Sequence, residues 1–307
     1  MAKKWTTWTG AVSTAWATAG NWTNGLPDSD DTAVIDGAVD IVGGAVSSGE
    51  VDAVYVASTY TGDIGSSGTP LEIDVADFQF DGGTSTGVAY VRLIASANAA
   101  PVVTISGGNG SASLYLAGTV TKMIVNSTAT GTFYLGVSAS KTLAITELVM
   151  VGSSNATVDA STTANIAWAS AGRVHMDAGA LKISENFGAT SICECLGGTL
   201  TVSDWTNTLN DTLNVRGGTV NWNAGSTGIT SEAYTVIKTV NVYSGTFSLA
   251  SNKNAFIGLA FLNQYGGTVN LDTGIGNVVQ QEAAGIIRYA GSFIPPVSST
   301  VTVASIG

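Results

Sequence analysis

The sequence predicts an all-β fold, a right-handed parallel β-helix. Three observations carry that expectation: a Gly-rich, charge-poor composition, a repeat of about twenty residues, and fixed apolar columns within the repeat. Of 307 residues, 38 are Gly and only 11% are charged, against about 25% in an average soluble domain. Short runs in which Val, Ile, Leu and Thr alternate with small polar residues, broken by Gly, read as many short strands. Long helical patterns are missing from the sequence.

The repeat is clearest in the second half. The pattern apolar-x-apolar-x-x-Gly-[Ser/Thr/Ala]-apolar-x-apolar runs over Val174–Ile183, Cys193–Val202, Leu213–Trp222, Val240–Leu249 and Leu262–Leu271, and more weakly over Ile286–Pro295. Its marker glycines are Gly179, Gly198, Gly218, Gly245, Gly267 and Gly291, spaced by 19, 20, 27, 22 and 24 residues on subtraction. A unit of this length with two strands around a Gly bend cannot bury its apolar face alone, so neighbouring units must stack and share a core. The Leu-x-x-Leu-x-Leu-x-x-Asn signature of leucine-rich repeats is missing. Upstream the pattern blurs, but Ala53–Ser58, Val91–Ser96, Leu114–Val125, Phe133–Ile145 and Ala156–Ser161 read as further coils.

Aligning the coils on the marker glycine assigns the faces. Residues two apart on a strand share a face. Leu181/Ile183, Leu200/Val202, Val220/Trp222, Phe247/Leu249 and Val269/Leu271 after the glycine should therefore point inward. So should Val174/Met176, Cys193/Cys195, Leu213/Val215 and Val240/Val242 before it. The position four before the glycine reads His175, Glu194, Asn214, Asn241 and Asn263, an outward column in which stacked Asn can form a side-chain ladder. Tyr243, Tyr265 and Tyr289 share the position two before the glycine. That column is a candidate contact ladder: a brace for the bend, a trimer contact or a sugar platform. The glycine itself is expected at positive φ.

Charge and chemistry narrow the function. The net charge of −11 comes from 22 acidic and 11 basic residues without long runs, which argues against nucleic acid or an anionic membrane as partner. No apolar stretch approaches the roughly 20 residues needed to span a bilayer, so no membrane insertion is expected. No catalytic residue, cofactor-binding residue or metal ligand is assigned. Cys193 and Cys195 lie in core columns and lack the further ligands a metal would need. His175, the sole histidine, falls on an outward column, with no Gly-x-Ser-x-Gly elbow to accompany it. Acidic residues near it, among them Asp177, Glu185, Asp204 and Asp211, could pair across coils at glycosidase spacing. With 22 acids on a solenoid, however, such pairs arise by chance. Asp28–Asp31 lacks the spacing of a calcium loop and reads as a turn.

The first 35 residues differ from the rest and hold Trp5, Trp8, Trp16 and Trp22, four of the seven Trp. Their pattern is Trp8-x-Gly10, Trp16, Asn21-Trp22, Gly25-x-Pro27, then Asp31-x-Ala33-Val34-Ile35. This resembles the opening of many bacterial autotransporter passengers and related β-helical surface proteins; similar openings occur on phage structural proteins. The resemblance covers about a tenth of the chain and implies a lead-in to the first β-helical coils. It departs from autotransporters in two respects. Lys3-Lys4 is followed at once by Trp5 with no apolar secretory segment, and no C-terminal membrane barrel pattern is present.

The expected organisation is a Trp-rich cap or anchor over residues 1–36, a parallel β-helix over 37–294 and a C-terminal extension over 295–307, which could pair with a neighbouring chain. Trp5, Trp8, Trp16, Trp22 and Pro27 are the candidate anchoring or capping residues. The expected function is non-enzymatic: a bacteriophage virion structural protein, either a capsid decoration protein or a fibre-like appendage, on the virion surface after assembly in the host cytoplasm. Its expected partners are a major capsid protein or another virion protein, further copies of itself with a trimer favoured, and a surface glycan as an additional ligand. The alternatives are a carbohydrate-active tailspike or lyase, and an extracellular cell-surface adhesin.

Overall fold

The computed structural model describes residues 4–46, 51–82, 87–94, 101–107, 113–126, 128–137, 143–152, 155–160, 166–183, 191–202, 209–224, 233–251, 255–270, 278–289, 292–294 and 303–305. Among the described residues the chain forms 25 strands, a short 3-10 turn at Ala19–Asn21, and no α-helix. Backbone packing divides it into two units, one reaching to Asp159 and one running from Ile166 onward. Each is a parallel β-solenoid.

The first unit contains β1 (Trp5–Thr7), β2 (Thr32–Ile35), β3 (Gly44–Ala45), β4 (Val51–Val56), β5 (Leu71–Ile73) and β6 (Val75–Phe80). It continues with β7 (Val88–Leu93), β8 (Val102–Ile105), β9 (Ser113–Val125), β10 (Thr130–Leu135), β11 (Leu143–Met150) and β12 (Asn155–Ala160). Two parallel stacks result. One runs β1, β2, β4, β6, β8, β9, β11, and the other β3, β5, β7, β9, β10, β12. Strand β9 serves both because it turns a corner at Gly118. There φ is +104°, and a Cβ would lie 1.9 Å from the Leu93 carbonyl oxygen, so only glycine fits. The interior is filled by columns such as Ala33–Val54–Phe78–Val103–Met123–Leu148, every member buried.

The second unit holds β13 (Ile166–Met176), β14 (Ala180–Ile183), β15 (Ser191–Cys195), β16 (Thr199–Val202), β17 (Leu209–Val215), β18 (Thr219–Ala224) and β19 (Ala233–Val242). After these come β20 (Thr246–Ser251), β21 (Ala255–Gln264), β22 (Thr268–Asn270), β23 (Val278–Tyr289), β24 (Ser292–Ile294) and β25 (Val303–Ser305). Odd-numbered strands pair with odd and even with even. Each coil thus contributes the two strands flanking its glycine bend.

The inward columns match the expectation. Val174, Met176, Cys193, Cys195, Leu213, Val215, Val240, Val242, Leu181, Ile183, Leu200, Val202, Val220, Trp222, Phe247 and Val269 are all buried. The side chains of Leu249 and Leu271 lie outside the described residues. Gly179, Gly198, Gly218, Gly245 and Gly267 have φ between +67° and +80°; Gly291 lies outside the described residues. One core position breaks the apolar rule. Gln264 follows Val242 in register and is fully buried, and its Nε2 donates to the Gly267 carbonyl at 3.0 Å.

Both ends of the chain add strands to the stacks. The Trp-rich segment already supplies rungs, since β1 and β2 pair in register with the coil that follows. Of the C-terminal extension, Val303–Ser305 pairs with β23; residues 295–302 and 306–307 lie outside the described residues.

Candidate functional site

Each residue of the N-terminal motif has a structural task. Trp8 continues the register of β1 beneath Ile35, donates its indole N–H to the Val39 carbonyl at 3.0 Å, and is 2% exposed. Trp22 packs edge-to-face against Trp8 at 5.2 Å and against Trp16 at 4.6 Å, and its N–H donates to the Trp16 carbonyl at 2.9 Å. Such pairs are favoured by the aromatic quadrupole. Asn21 is fully buried and braces the loop around it. Its Oδ1 accepts from the Val12 and Ser13 amides, and its Nδ2 donates to the Ala15 carbonyl and the Ser13 hydroxyl. Gly10 at φ +58° lies against Val39, and Gly25 is at φ +82°. Pro27 is buried.

Asp31 closes the motif. It is 1% exposed, accepts from the Asp28 amide, and meets Lys4 Nζ at 3.2 Å. Burial pushes its carboxyl up, yet the Asp28 amide and the Lys4 ammonium outweigh that and hold it below its ordinary value. Asp28–Asp31 is thus a turn with internal hydrogen bonds.

The five predicted anchoring or capping residues therefore separate. Trp8, Trp16, Trp22 and Pro27 are buried within the cap, while Trp5 is 61% exposed. Besides Trp5, the exposed apolar surface on and just after the cap comes from residues that the motif does not include. Val12 is 68% exposed and Val42 57%, with Val39 partly exposed. Val42 is joined to the cap loop through its amide, which donates to the Thr14 carbonyl.

In the second unit the outward Asn column is a continuous hydrogen-bonded ladder. Asn263 Nδ2 donates to Asn241 Oδ1 at 2.9 Å, Asn241 to Asn214 at 2.9 Å, and Asn214 to Glu194 Oε1 at 3.4 Å. Every amide donates toward the Glu194 carboxylate, which can only accept. His175 stands beyond it, 3.7 Å from Glu194 and 3.0 Å from Asp177.

Tyr243 and Tyr265 are stacked at 4.9 Å and 11°, and the Arg216 guanidinium lies over Tyr243 at 4.4 Å. Tyr243 thus has both ring faces covered, one by Tyr265 and one by Arg216. Tyr289 leaves this column. The register pairs it with Gln264, one position away from Tyr265, because one residue fewer separates β23 from β24 than β21 from β22. Cys193 and Cys195 are free and buried. Burial pushes both thiols up, Cys195 to about 11.

The first unit carries an aromatic ladder that has no counterpart in the sequence reading. Tyr90, Tyr115 and Tyr134 are in register and stack at 4.6 Å and 4.4 Å, with ring planes 16° and 8° apart. Their coils lack the marker-glycine pattern, and only the strand register shows that they align. The same unit bears a surface groove of about 550 Å³ lined by Trp5, Thr32, Ala53, Val54, Tyr55, Asp77, Gln79 and Asp81. Within it the Tyr55 hydroxyl donates to Asp81 at 2.5 Å, and Gln79 Nε2 donates to Asp77 at 2.9 Å. The Asp81 hydrogen bond, with burial added, pushes Tyr55 up to about 12.

Among the described residues, no group of three or more His, Cys, Asp or Glu is placed to hold a metal ion, and no helix is long and apolar enough to cross a membrane. Glu185 and Asp204 lie outside the described residues. No family model matches the chain, and no curated protein and no solved structure matches it.

Proposed function

We propose that the chain is a bacteriophage virion structural protein, a capsid decoration protein or fibre-like appendage whose N-terminal cap seats on a major capsid protein or another virion protein. The observation that carries this reading is the distribution of exposed apolar side chains. Val12, Val39 and Val42 stand out on and just after a cap whose own aromatic side chains Trp8, Trp16 and Trp22 are buried. Apolar side chains held out on a frame built around a buried aromatic cluster suit a protein contact more than a reaction.

Continuous Asn and Tyr ladders support the mechanical part of the role. They tie successive coils together outside the core, where unfolding of a solenoid would otherwise begin coil by coil. The N-terminal motif, which resembles that of β-helical surface proteins, points the same way. A trimer on the virion surface is the assembly this reading favours.

Cryo-electron microscopy of the particles that carry the protein tests it. Symmetric copies on the capsid, with the Val12 and Val42 end inward, are the expected result. Density at the tail tip alone, or on no particle, overturns the decoration role.

A further inference from the structure

We infer that the groove on the first unit is a binding site for a neutral or amino-bearing oligosaccharide. The site arises from strand register. On the outer face, Trp5, Thr32, Ala53 and Asp77 occupy one column across β1, β2, β4 and β6. Two small side chains between two large ones make a trough, about 14 Å long at the usual strand spacing. Tyr55 and Gln79 stand in the next outward column, paired in register, and Asp81 follows directly after the end of β6.

The lining suits a sugar for two reasons. A pyranose presents one face of C–H groups and a rim of hydroxyls. Trp5, the most exposed aromatic side chain described, offers an apolar surface for the C–H face. Asp77, Gln79 and Asp81 offer planar acceptors and an amide for the rim. These polar groups are already held by neighbours, Asp81 by Tyr55 and Asp77 by Gln79, so little ordering remains to be done on binding. Within the Tyr ladders, Tyr115 and Tyr243 have both ring faces turned to neighbours and offer solvent mainly an edge.

Charge selects the ligand class. Two carboxylates line the groove and no Lys, Arg or His does, so uronates, sulfates and phosphates are repelled while neutral or ammonium-bearing sugars are accepted.

The test uses the purified full chain and saturation-transfer NMR. The probes are trimers of N-acetylglucosamine, glucosamine and glucose, with the galacturonate trimer as the acidic control. The expected result is saturable binding of at least one neutral or amino probe and none of the galacturonate probe. Trp5→Ala should weaken that binding about tenfold or more, as removal of a central aromatic does. Ala53→Trp, which fills the trough floor, should abolish it. Circular dichroism checks both variants for intact fold, and Val12→Asp, outside the groove, should bind as the parent does. Absence of saturable binding by the neutral and amino probes overturns the proposal. So does undiminished binding in both groove variants, or a preference for the galacturonate trimer. A virion role for the cap survives any of these results, because its own test reads particle density.

Discussion

At the scale of single residues, stacking is enforced by atoms that have nowhere else to go. Gly218 is the clearest case. Its φ of +67° is unfavourable for any L side chain, and an added Cβ would lie 2.5 Å from the Gly198 carbonyl oxygen. That oxygen also accepts from the Thr219 amide at 2.9 Å, so the neighbouring coil cannot retreat. Gly218→Ala is expected to destabilise the second unit by more than about 1 kcal/mol, read as a lower urea midpoint. The Asn ladder allows a sharper test. Asn241 both donates and accepts, and its alanine variant should lose about 1 kcal/mol. Asn241→Asp should lose more, because it sets a carboxylate against the Asn214 carbonyl oxygen that now receives an N–H. Equal losses would mean that the ladder contributes nothing directional.

The buried thiols give a pH signature at the same scale. Cys195 is raised from 9.0 to about 11 by burial. A raised pKa means that the folded state keeps a proton the unfolded state releases. Its stabilisation is therefore complete below about pH 9 and is lost as pH rises from there through about 11. Cys195→Ala should make that part of the stability profile less steep, the remaining slope coming from Cys193, which burial also raises. In the native protein neither thiol should react with a thiol-specific reagent at pH 8, where both are protonated and enclosed; both should react after denaturation.

At the scale of elements, the cap divides its tryptophans between closure and display. Trp22 is held between Trp8 and Trp16 with its N–H satisfied, so Trp22→Ala should cost about 3–5 kcal/mol. Amide protection should be lost first in β1 and β2. Trp5→Ala, on an exposed side chain, should stay within about 0.5 kcal/mol. This contrast separates a structural cap from a binding surface within one motif. The Tyr ladders are element-scale devices too: Tyr115 is stacked on both faces by Tyr90 and Tyr134, which ties three successive coils together.

At the scale of the whole molecule, attachment becomes a question of which surface is left over. Among the described residues, exposed large apolar side chains occur on the N-terminal segment at Trp5, Val12, Val39 and Val42, and elsewhere at Val151, Ile192, Leu196, Tyr243 and Tyr265; the N-terminal set is the one next to the motif. Val12→Asp combined with Val42→Asp should leave the circular dichroism spectrum unchanged and abolish incorporation into particles. Retention of normal incorporation would assign attachment to another face.

Much of this molecule is legible in one dimension because a solenoid repeats its environment. A residue's role follows from its phase relative to a marker glycine. The inward columns, the Asn ladder from Glu194 to Asn263 and the positive φ of the bends therefore all follow from the repeat alone. The cap motif likewise announces its aromatic core. What only the tertiary structure decided lies wherever phase is lost or where a property belongs to several coils at once. Tyr289 leaves its column because one coil is a residue shorter at the bend. Tyr90, Tyr115 and Tyr134 align although the marker-glycine repeat does not reach their coils, and Gln264 enters the core at a position that is Val242 one coil earlier. The groove between Trp5 and Asp77 depends on which small residues the register sets between them. Pairing across coils is a long-range choice made by backbone hydrogen bonds, and loops of unequal length hide it from any local reading of the chain.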